Sequence, residues 1–188
     1  NRMENFSYLK IKKKKINPNF KKKKILIVGY PFSKKFDVTV PHIFPSKMYF
    51  TENKLLKFFL KKKDFEVFYK AHPDTWLITR KKISIKKNFL IEPFEDLFMD
   101  YDYLIFTAHR TTTLGYALRT KKPILLFFHK KMDLDKKTLN VYKKRISLIN
   151  CYINSKNLMD FHESSIINNL HKAKNLAINK TGKDIFRL

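Results

Sequence analysis

The chain has 188 residues, enough for one α/β domain with a sizeable core but too few for two such domains with complete helical layers. Hydrophobic residues make up 44% of the chain, which excludes wholesale disorder. No apolar run approaches the roughly 18 residues of a membrane span. The chain has a single cysteine, Cys151, which excludes an intrachain disulfide and favours a reducing, cytoplasmic setting.

The formal net charge of +25 can mark a nucleic-acid partner, an anionic membrane surface or a phosphorylated substrate. Only six of the 41 basic residues are arginines, whereas proteins that bind nucleic acid favour the forked contacts of arginine with phosphate and guanine. Lysine, like the abundant Asn, Ile, Phe and Tyr, has A/T-rich codons. We therefore attribute most of the charge to a genome of low GC content and expect dispersed lysines. Nucleic acid is disfavoured as a partner, and attachment to the anionic inner face of a membrane stays open.

Three regions differ in composition. Residues 1–24 carry two lysine blocks around an Asn-Pro-Asn segment, which predicts a basic linker or arm. Residues 25–180 are predicted to form one Rossmann-like domain, and residues 181–188 a short tail. The chain starts with neither a methionine nor a signal peptide, so we expect it to be a fragment of a longer protein.

Short apolar runs alternate with helix-forming segments through the central region. A loop with three prolines is expected over residues 31–46. Predicted strands lie at residues 25–30, 65–69, 88–91, 103–107, 124–128 and 147–153. The first predicted helix covers residues 51–63, with Thr51 as its cap and Leu55, Leu56, Phe59 and Leu60 on one side. Further helices are predicted to begin at Pro93, to cover residues 111–119 and 134–144, and to follow Ser155 and Ser164 up to about residue 180. The alternation predicts the α/β class, with a doubly wound parallel sheet and right-handed crossovers.

Polar side chains follow three of the predicted strands, and in an open parallel sheet ligands bind beyond the carboxyl ends of the strands. These side chains are Lys70, His72 and Asp74 after the second strand, His109, Arg110 and the threonines at 111–113 after the fourth, and His129 and Lys130 after the fifth. Because all parallel strands point the same way, we expect His72 and the threonines to face one cleft.

The threonine turn at residues 111–113 is the most informative of these segments. A strand followed by a hydroxyl-rich turn and a helix start predicts an anion site, although an ordinary helix cap needs only one of the three threonines. The chain lacks the glycines of a P-loop or a dinucleotide-binding turn, so neither an ATPase nor a dehydrogenase is indicated and no cofactor is expected. The predicted ligand-binding residues are Lys70, His72, Arg110, Thr111, Thr112 and Thr113.

Two alternative functions remain open. His72, His109 and His129 each follow a strand, and three converging imidazoles can hold zinc in a metal-dependent hydrolase, although no H-x-H or H-E-x-x-H spacing exists. The many Phe and Tyr residues of a basic chain also fit a nucleic-acid-binding module. Against this module, they fall in apolar runs where core packing accounts for them, and no RNP-like or zinc-finger pattern is present.

The order of several segments resembles the C-terminal domain of GT-B glycosyltransferases and is most similar to the capsule, lipopolysaccharide and teichoic-acid types. The matching segments are 68–73 (FYKAHP), 93–98 (PFEDLF), 101–105 (YDYLI), 111–118 (TTTLGYAL) and 122–124 (KPI). The resemblance covers roughly residues 25–175, and it departs from the family at Tyr116, where many relatives carry a ribose-binding Glu, and at Lys121, where Gly is common.

The resemblance implies that the His-Pro segment and the hydroxyl-rich turn hold a nucleotide and its phosphates. The chain is then the donor-binding half of a glycosyl- or glycerophospho-transferase in surface polysaccharide synthesis, with a nucleotide-sugar or nucleotide-polyol as donor and no metal. The acceptor-binding N-terminal domain, which usually carries the general base, has no counterpart here. We therefore expect this part alone to be inactive and leave the catalytic base unassigned.

Overall fold

The computed structural model describes residues 22–31, 45–109, 111–129 and 134–179. The tail at residues 181–188, Arg110 and Lys130 lie outside the described residues, as does the arm apart from residues 22–24. No helix in the described ranges has the length and apolar character needed to cross a membrane.

Seven strands of the described residues form one sheet in the order β3-β2-β1-β4-β5-β6-β7. The strands are β1 (Lys23–Val28), β2 (Phe65–Lys70), β3 (Phe89–Leu90), β4 (Tyr103–Phe106), β5 (Ile124–His129), β6 (Ser147–Ile153) and β7 (Met159–Phe161). The first six are parallel, and β7 pairs antiparallel with β6. The order reverses direction at β1, whose two neighbours are β2 and β4, and this confirms the predicted Rossmann-like, doubly wound α/β fold.

Helices cover both faces of the sheet. They are α1 (Pro45–Leu60), α2 (Trp76–Lys82), α3 (Phe94–Leu97), α4 (Thr112–Leu118), α5 (Lys136–Arg145) and α6 (Ser164–Asn179). Alternate residues of β1 serve two cores: Ile25 and Ile27 pack with residues of α1 and α6, whereas Leu26 and Val28 pack with residues of α3 and α4. This central strand is therefore buried on both faces, as its continuous apolar run predicts.

Helix α1 begins earlier than predicted, at Pro45, and ends at Leu60. Thr51 is fully buried inside the helix, and its hydroxyl donates to the carbonyl of Met159 on β7 at 2.6 Å, so its prediction as the helix cap is wrong. Proline is well suited to the first turn, because its missing N–H has no helical partner there. Leu60 was expected on the apolar side but is 57% exposed at the last turn.

The helix expected after Ser155 is also absent from the described residues, which form a turn and the short strand β7 instead. The side chain of Asn154 accepts from the backbone N–H groups of Lys156 and Leu158, and Asn157 adopts a left-handed φ of 57°. Such Asn-based hydrogen bonding competes with helix formation and favours a turn. Helix α2, which follows a short 3₁₀ turn at Pro73–Thr75, has no counterpart among the predicted elements.

Two basic side chains bind backbone carbonyls at the amino ends of the strands, away from the predicted ligand site. Arg145, the last residue of α5, has no exposed surface, and its Nη2 donates to the carbonyls of Thr120 and Lys122. Lys122 donates in turn to the carbonyl of Tyr101 at 2.8 Å. The Lys-Pro segment that contributes to the family resemblance therefore has a structural role in this chain, joining the α4–β5 turn to the start of β4.

Candidate functional site

A cavity of about 820 Å³ opens beyond the carboxyl ends of β1, β2 and β4. Val28 of β1 lies in register with Lys70 of β2 on one side and with Phe106 of β4 on the other. With strands about 4.8 Å apart, the exits of β2 and β4 are about 10 Å apart. His72 and the threonines at 111–113 both line this cavity. The structure therefore brings together two segments that lie about forty residues apart in the chain.

Lys70 is the buried cation of the cavity wall. Only 4% of it is exposed, and its Nζ donates to the carbonyl of Ala71 at 2.6 Å. Burial lowers the pKa of Lys70, while the nearby carboxylates of Glu92 and Glu95 act in the opposite direction. An ammonium has three N–H donors, so this lysine can donate to a second acceptor while it keeps its bond to Ala71.

His72 presents an imidazole from the turn that follows β2. Its Nδ1 accepts a hydrogen bond from the backbone N–H of Asp74 at 3.3 Å, which assigns the proton of the neutral ring to Nε2. Desolvation is the main cause of a lowered pKa; Asp74 opposes this effect and Lys70 adds to it. At neutral pH the ring is therefore mostly uncharged, and its 3.8 Å contact with the Asp74 carboxylate is not a full ion pair.

The three threonines of the turn have different environments. The hydroxyl of Thr111 caps α4 by accepting from the backbone N–H of Leu114 at 3.2 Å, and the hydroxyl of Thr113 donates to Thr111 at 3.0 Å. Thr112 is exposed, lines the cavity, and has no hydrogen bond to its hydroxyl within the described residues. The hydroxyls of Thr111 and Thr113 are therefore used in the cap of the seven-residue helix α4.

Part of the cavity wall is apolar, contributed by Met48 of α1 and by the segment that precedes and begins α3, including Ile91, Pro93 and Phe94. Ile91 is 42% exposed, so its side chain is accessible from the cavity. Glu95, in the first turn of α3, adds a carboxylate to the same wall. The cavity thus combines hydrogen-bond donors with an apolar surface, the usual character of a small-molecule site.

The three histidines considered for zinc do not form one site. His72 and His109 line the cavity, whereas His129 is not among its lining residues. Across the described ranges, no group of three or more His, Cys, Asp or Glu side chains is arranged to hold a metal ion. The geometry therefore gives the hydrolase alternative no support.

A buried carboxylate below the cavity floor was not anticipated from the sequence. Glu52 of α1 is fully buried and accepts three hydrogen bonds, from the backbone N–H of Tyr30 at 2.7 Å, the Tyr69 hydroxyl at 2.6 Å and the Thr107 hydroxyl at 2.6 Å. Desolvation raises the pKa of Glu52 to about 7, although the three hydrogen bonds oppose the rise. A signal was present in the sequence, because Glu52 interrupts an apolar stripe formed by Met48, Leu55, Leu56 and Phe59.

The hydrogen bond between Tyr69 and Glu52 also explains why residue 29 is a glycine. A Cβ at this position would lie 2.0 Å from the hydroxyl oxygen of Tyr69 and 2.4 Å from its ring. Tyr69 has no exposed surface and is held at its hydroxyl by Glu52, so it cannot move aside easily. The glycine therefore allows β1 to pass over the Tyr69 ring where the strand meets the cavity.

No protein-family model and no curated protein sequence matches the chain. Among solved structures, one that is similar is the complex of S. aureus MnaA with UDP, at 14% sequence identity and a TM-score of 0.46. The match covers 91% of this chain but 42% of that protein, so the chain spans less than half of its structural neighbour. The described residues themselves establish a Rossmann-like α/β domain with a partly polar cavity at its topological switch point.

Proposed function

We propose that this chain is the donor-binding half of a glycosyl- or glycerophospho-transferase and binds a nucleotide-activated sugar or polyol phosphate. The observation that carries the proposal is the convergence of Lys70, His72 and the threonine turn on one cavity at the switch point of the sheet. The proposed ligand-binding residues are Lys70, His72, Thr111, Thr112 and Thr113, with Arg110 retained from the sequence.

A diphosphate is the anion that this set of donors suits best. Lys70 supplies a positive charge in a place of low solvent access, and His72 supplies an Nε2–H donor. Thr112 supplies a hydroxyl that has no hydrogen bond among the described residues. The charge developing on a leaving diphosphate would be stabilised by these fixed donors without a metal ion. The apolar wall near Ile91 and Phe94 offers a surface for a nucleobase, and about 820 Å³ lies within the usual range for such ligands.

The proposed reaction needs residues from a second domain. Among the described residues, Glu95 and Asp74 are the carboxylates that line the cavity, and we assign neither as the general base, which stays unassigned in this half. The acceptor would enter from the open side of the cavity, against a partner domain. Buried Cys151 fits a reducing, cytoplasmic setting, and the lysine-rich surface would permit contact with the inner face of an anionic membrane.

The test is titration calorimetry with four nucleotide diphosphates: UDP-glucose, GDP-mannose, dTDP-glucose and CDP-glycerol. We expect at least one to bind, and expect Thr112→Ala to weaken its binding by roughly tenfold, the effect of losing one hydrogen bond to a charged group. Thr112→Ser keeps the hydroxyl and is expected to bind as the wild type does. If Thr112→Ala binds the nucleotide as tightly as Thr112→Ser does, Thr112 is not part of the binding site.

The charged contact has a matched control of its own. Lys70→Gln and Lys57→Gln remove the same charge, but Lys57 lies exposed on the last turn of α1, outside the cavity lining. We expect only the first change to weaken nucleotide binding. Equal weakening by both would mean that the overall positive charge attracts the nucleotide, in keeping with a general polyanion-binding protein instead.

A further inference from the structure

Glu52 connects three strand ends that form the cavity. Tyr30 lies just beyond β1, Tyr69 lies within β2, and Thr107 lies just beyond β4, and each donates to the one carboxylate. Tyr30 and Thr107 also line the cavity, whereas Glu52 and Tyr69 are not among its lining residues. Any change in the charge of Glu52 therefore acts on two cavity-lining residues through direct hydrogen bonds.

The hydroxyl of Thr107 has two acceptors within reach. It lies 2.6 Å from Glu52 Oε1 and 3.3 Å from the carbonyl oxygen of Val28, yet it carries only one proton. When Glu52 is ionised, Thr107 donates to the carboxylate. When Glu52 is protonated, the carboxylic acid can donate to Thr107, whose own proton then turns to Val28. The orientation of this cavity hydroxyl can therefore change with the protonation state of Glu52.

We propose that Glu52 is a positioning residue of the nucleotide site, which takes up a proton when a diphosphate binds in the cavity. The proposal rests on the proposed function, because the negative charge of the bound phosphates disfavours a second negative charge behind the cavity wall. A unit charge about 10 Å away, at an effective dielectric constant of about 20, raises a carboxyl pKa by about one unit. Burial already raises the pKa of Glu52 to about 7, so both of its forms are populated at neutral pH.

Other titratable and charged groups lie around Glu52, on its helix side and on the cavity side. Burial raises the pKa of Tyr49 to about 12 and that of Tyr69 well above its usual value, so both stay neutral. Lys54 of α1 is paired with Asp160 of β7 at 2.5 Å. On the cavity side, the groups among the described residues are Lys70, His72, Asp74, Glu95 and His109. All of these groups are present in both proteins, and the two tyrosines stay neutral in either. The difference between wild type and Glu52→Gln therefore reports mainly on Glu52.

The experiment is calorimetric titration of wild type and Glu52→Gln with the same four nucleotide diphosphates between about pH 6 and pH 8, in buffers of differing ionisation enthalpy. These diphosphate diesters lack the phosphomonoester group that titrates near pH 6. For wild type we expect affinity to fall about fivefold over this range, with uptake of about half a proton near pH 7.5, from the one-unit shift above. Glu52→Gln should lose most of that dependence and most of the proton uptake.

Tyr69→Phe provides a second test that leaves the lining of the cavity unchanged. Loss of the Tyr69 hydroxyl removes a hydrogen bond that lowers the pKa of Glu52. The pH at which affinity begins to fall should therefore move up by about one unit. If circular dichroism shows that Glu52→Gln does not fold, the pH profile of Tyr69→Phe alone tests the role of Glu52.

Three results would overturn the inference, and they differ in whether they also refute the proposed function. Equal pH profiles for wild type and Glu52→Gln, or an unshifted profile for Tyr69→Phe, would refute the role of Glu52 while leaving the nucleotide site in place. Failure of wild type to bind any of the four compounds across the pH range would refute the proposed function, and the inference with it.

Discussion

The buried carboxylate of Glu52 makes the stability of the free protein depend on pH in a defined direction. Its pKa is about 7 in the folded protein against a usual value of 4.5, so the folded state retains a proton that the unfolded state has lost. The stabilisation from this proton is fully present below about pH 4.5 and is lost as the pH rises through about 7. A difference of about 2.5 pKa units corresponds to about 3 kcal/mol.

Glu52→Gln removes the titrating group while keeping the size of the side chain. The free energy of unfolding of wild type minus that of Glu52→Gln should therefore fall by about 3 kcal/mol between about pH 4 and pH 8. Urea unfolding measures both values, followed by the fluorescence of Trp76, which is the single tryptophan and packs against the core that contains α1. The sign does not depend on how well Gln satisfies the three donors, because that contribution is the same at every pH.

Glu163→Gln, a substitution at an exposed position just before α6, is the control for removing a carboxylate from this basic protein. Its difference from wild type gives the baseline for the effect of net charge. A Glu52→Gln difference that follows the same baseline from about pH 4 to pH 8 would show that Glu52 titrates as an ordinary surface carboxyl. The burial and the three hydrogen bonds described for it would then be wrong.

Three further substitutions test local features by chemical denaturation. Thr111→Ala removes the hydroxyl that caps α4 and should lower the free energy of unfolding by about 1 kcal/mol; no loss would mean that the cap is not formed. Gly29→Ala places a methyl group against the Tyr69 ring and should cost about 1–3 kcal/mol, whereas an unchanged midpoint would contradict that contact. Arg145→Ala opens a void and leaves the carbonyls of the α4–β5 turn without their donor, so we expect a loss of about 3 kcal/mol; wild-type stability would rule out the buried guanidinium.

Much of the candidate site was predictable because the polarity of a parallel sheet is a strong constraint. Once strands ending near Tyr69 and Phe106 are placed in one parallel sheet, the residues that follow them must meet at one edge. That reasoning placed His72 and Thr112 together without knowledge of any contact. It did not separate the threonines, because the use of Thr111 and Thr113 in the helix cap depends on local hydrogen bonds that many Thr-rich turns can form.

The errors in the predicted elements have local physical causes. The start of α1 was placed at Thr51 because threonine is a common cap, but burial against β7 outweighs that preference and makes Thr51 an interior residue. The strand β7 was missed because three residues are too few to show an alternating pattern. An antiparallel edge strand of this kind is recognisable only when its partner, β6, is in place.

The sequence by itself determined the α/β class, the doubly wound strand order and the edge of the sheet at which the cavity lies, since all three follow from hydrophobic periodicity and strand polarity. The tertiary structure alone decided the role of Glu52. In sequence it is a single acidic residue in an apolar helix, far along the chain from Tyr69 and Thr107. Only folding brings their hydroxyls to within 2.6 Å of its carboxylate and removes the water that would otherwise keep its pKa near 4.5.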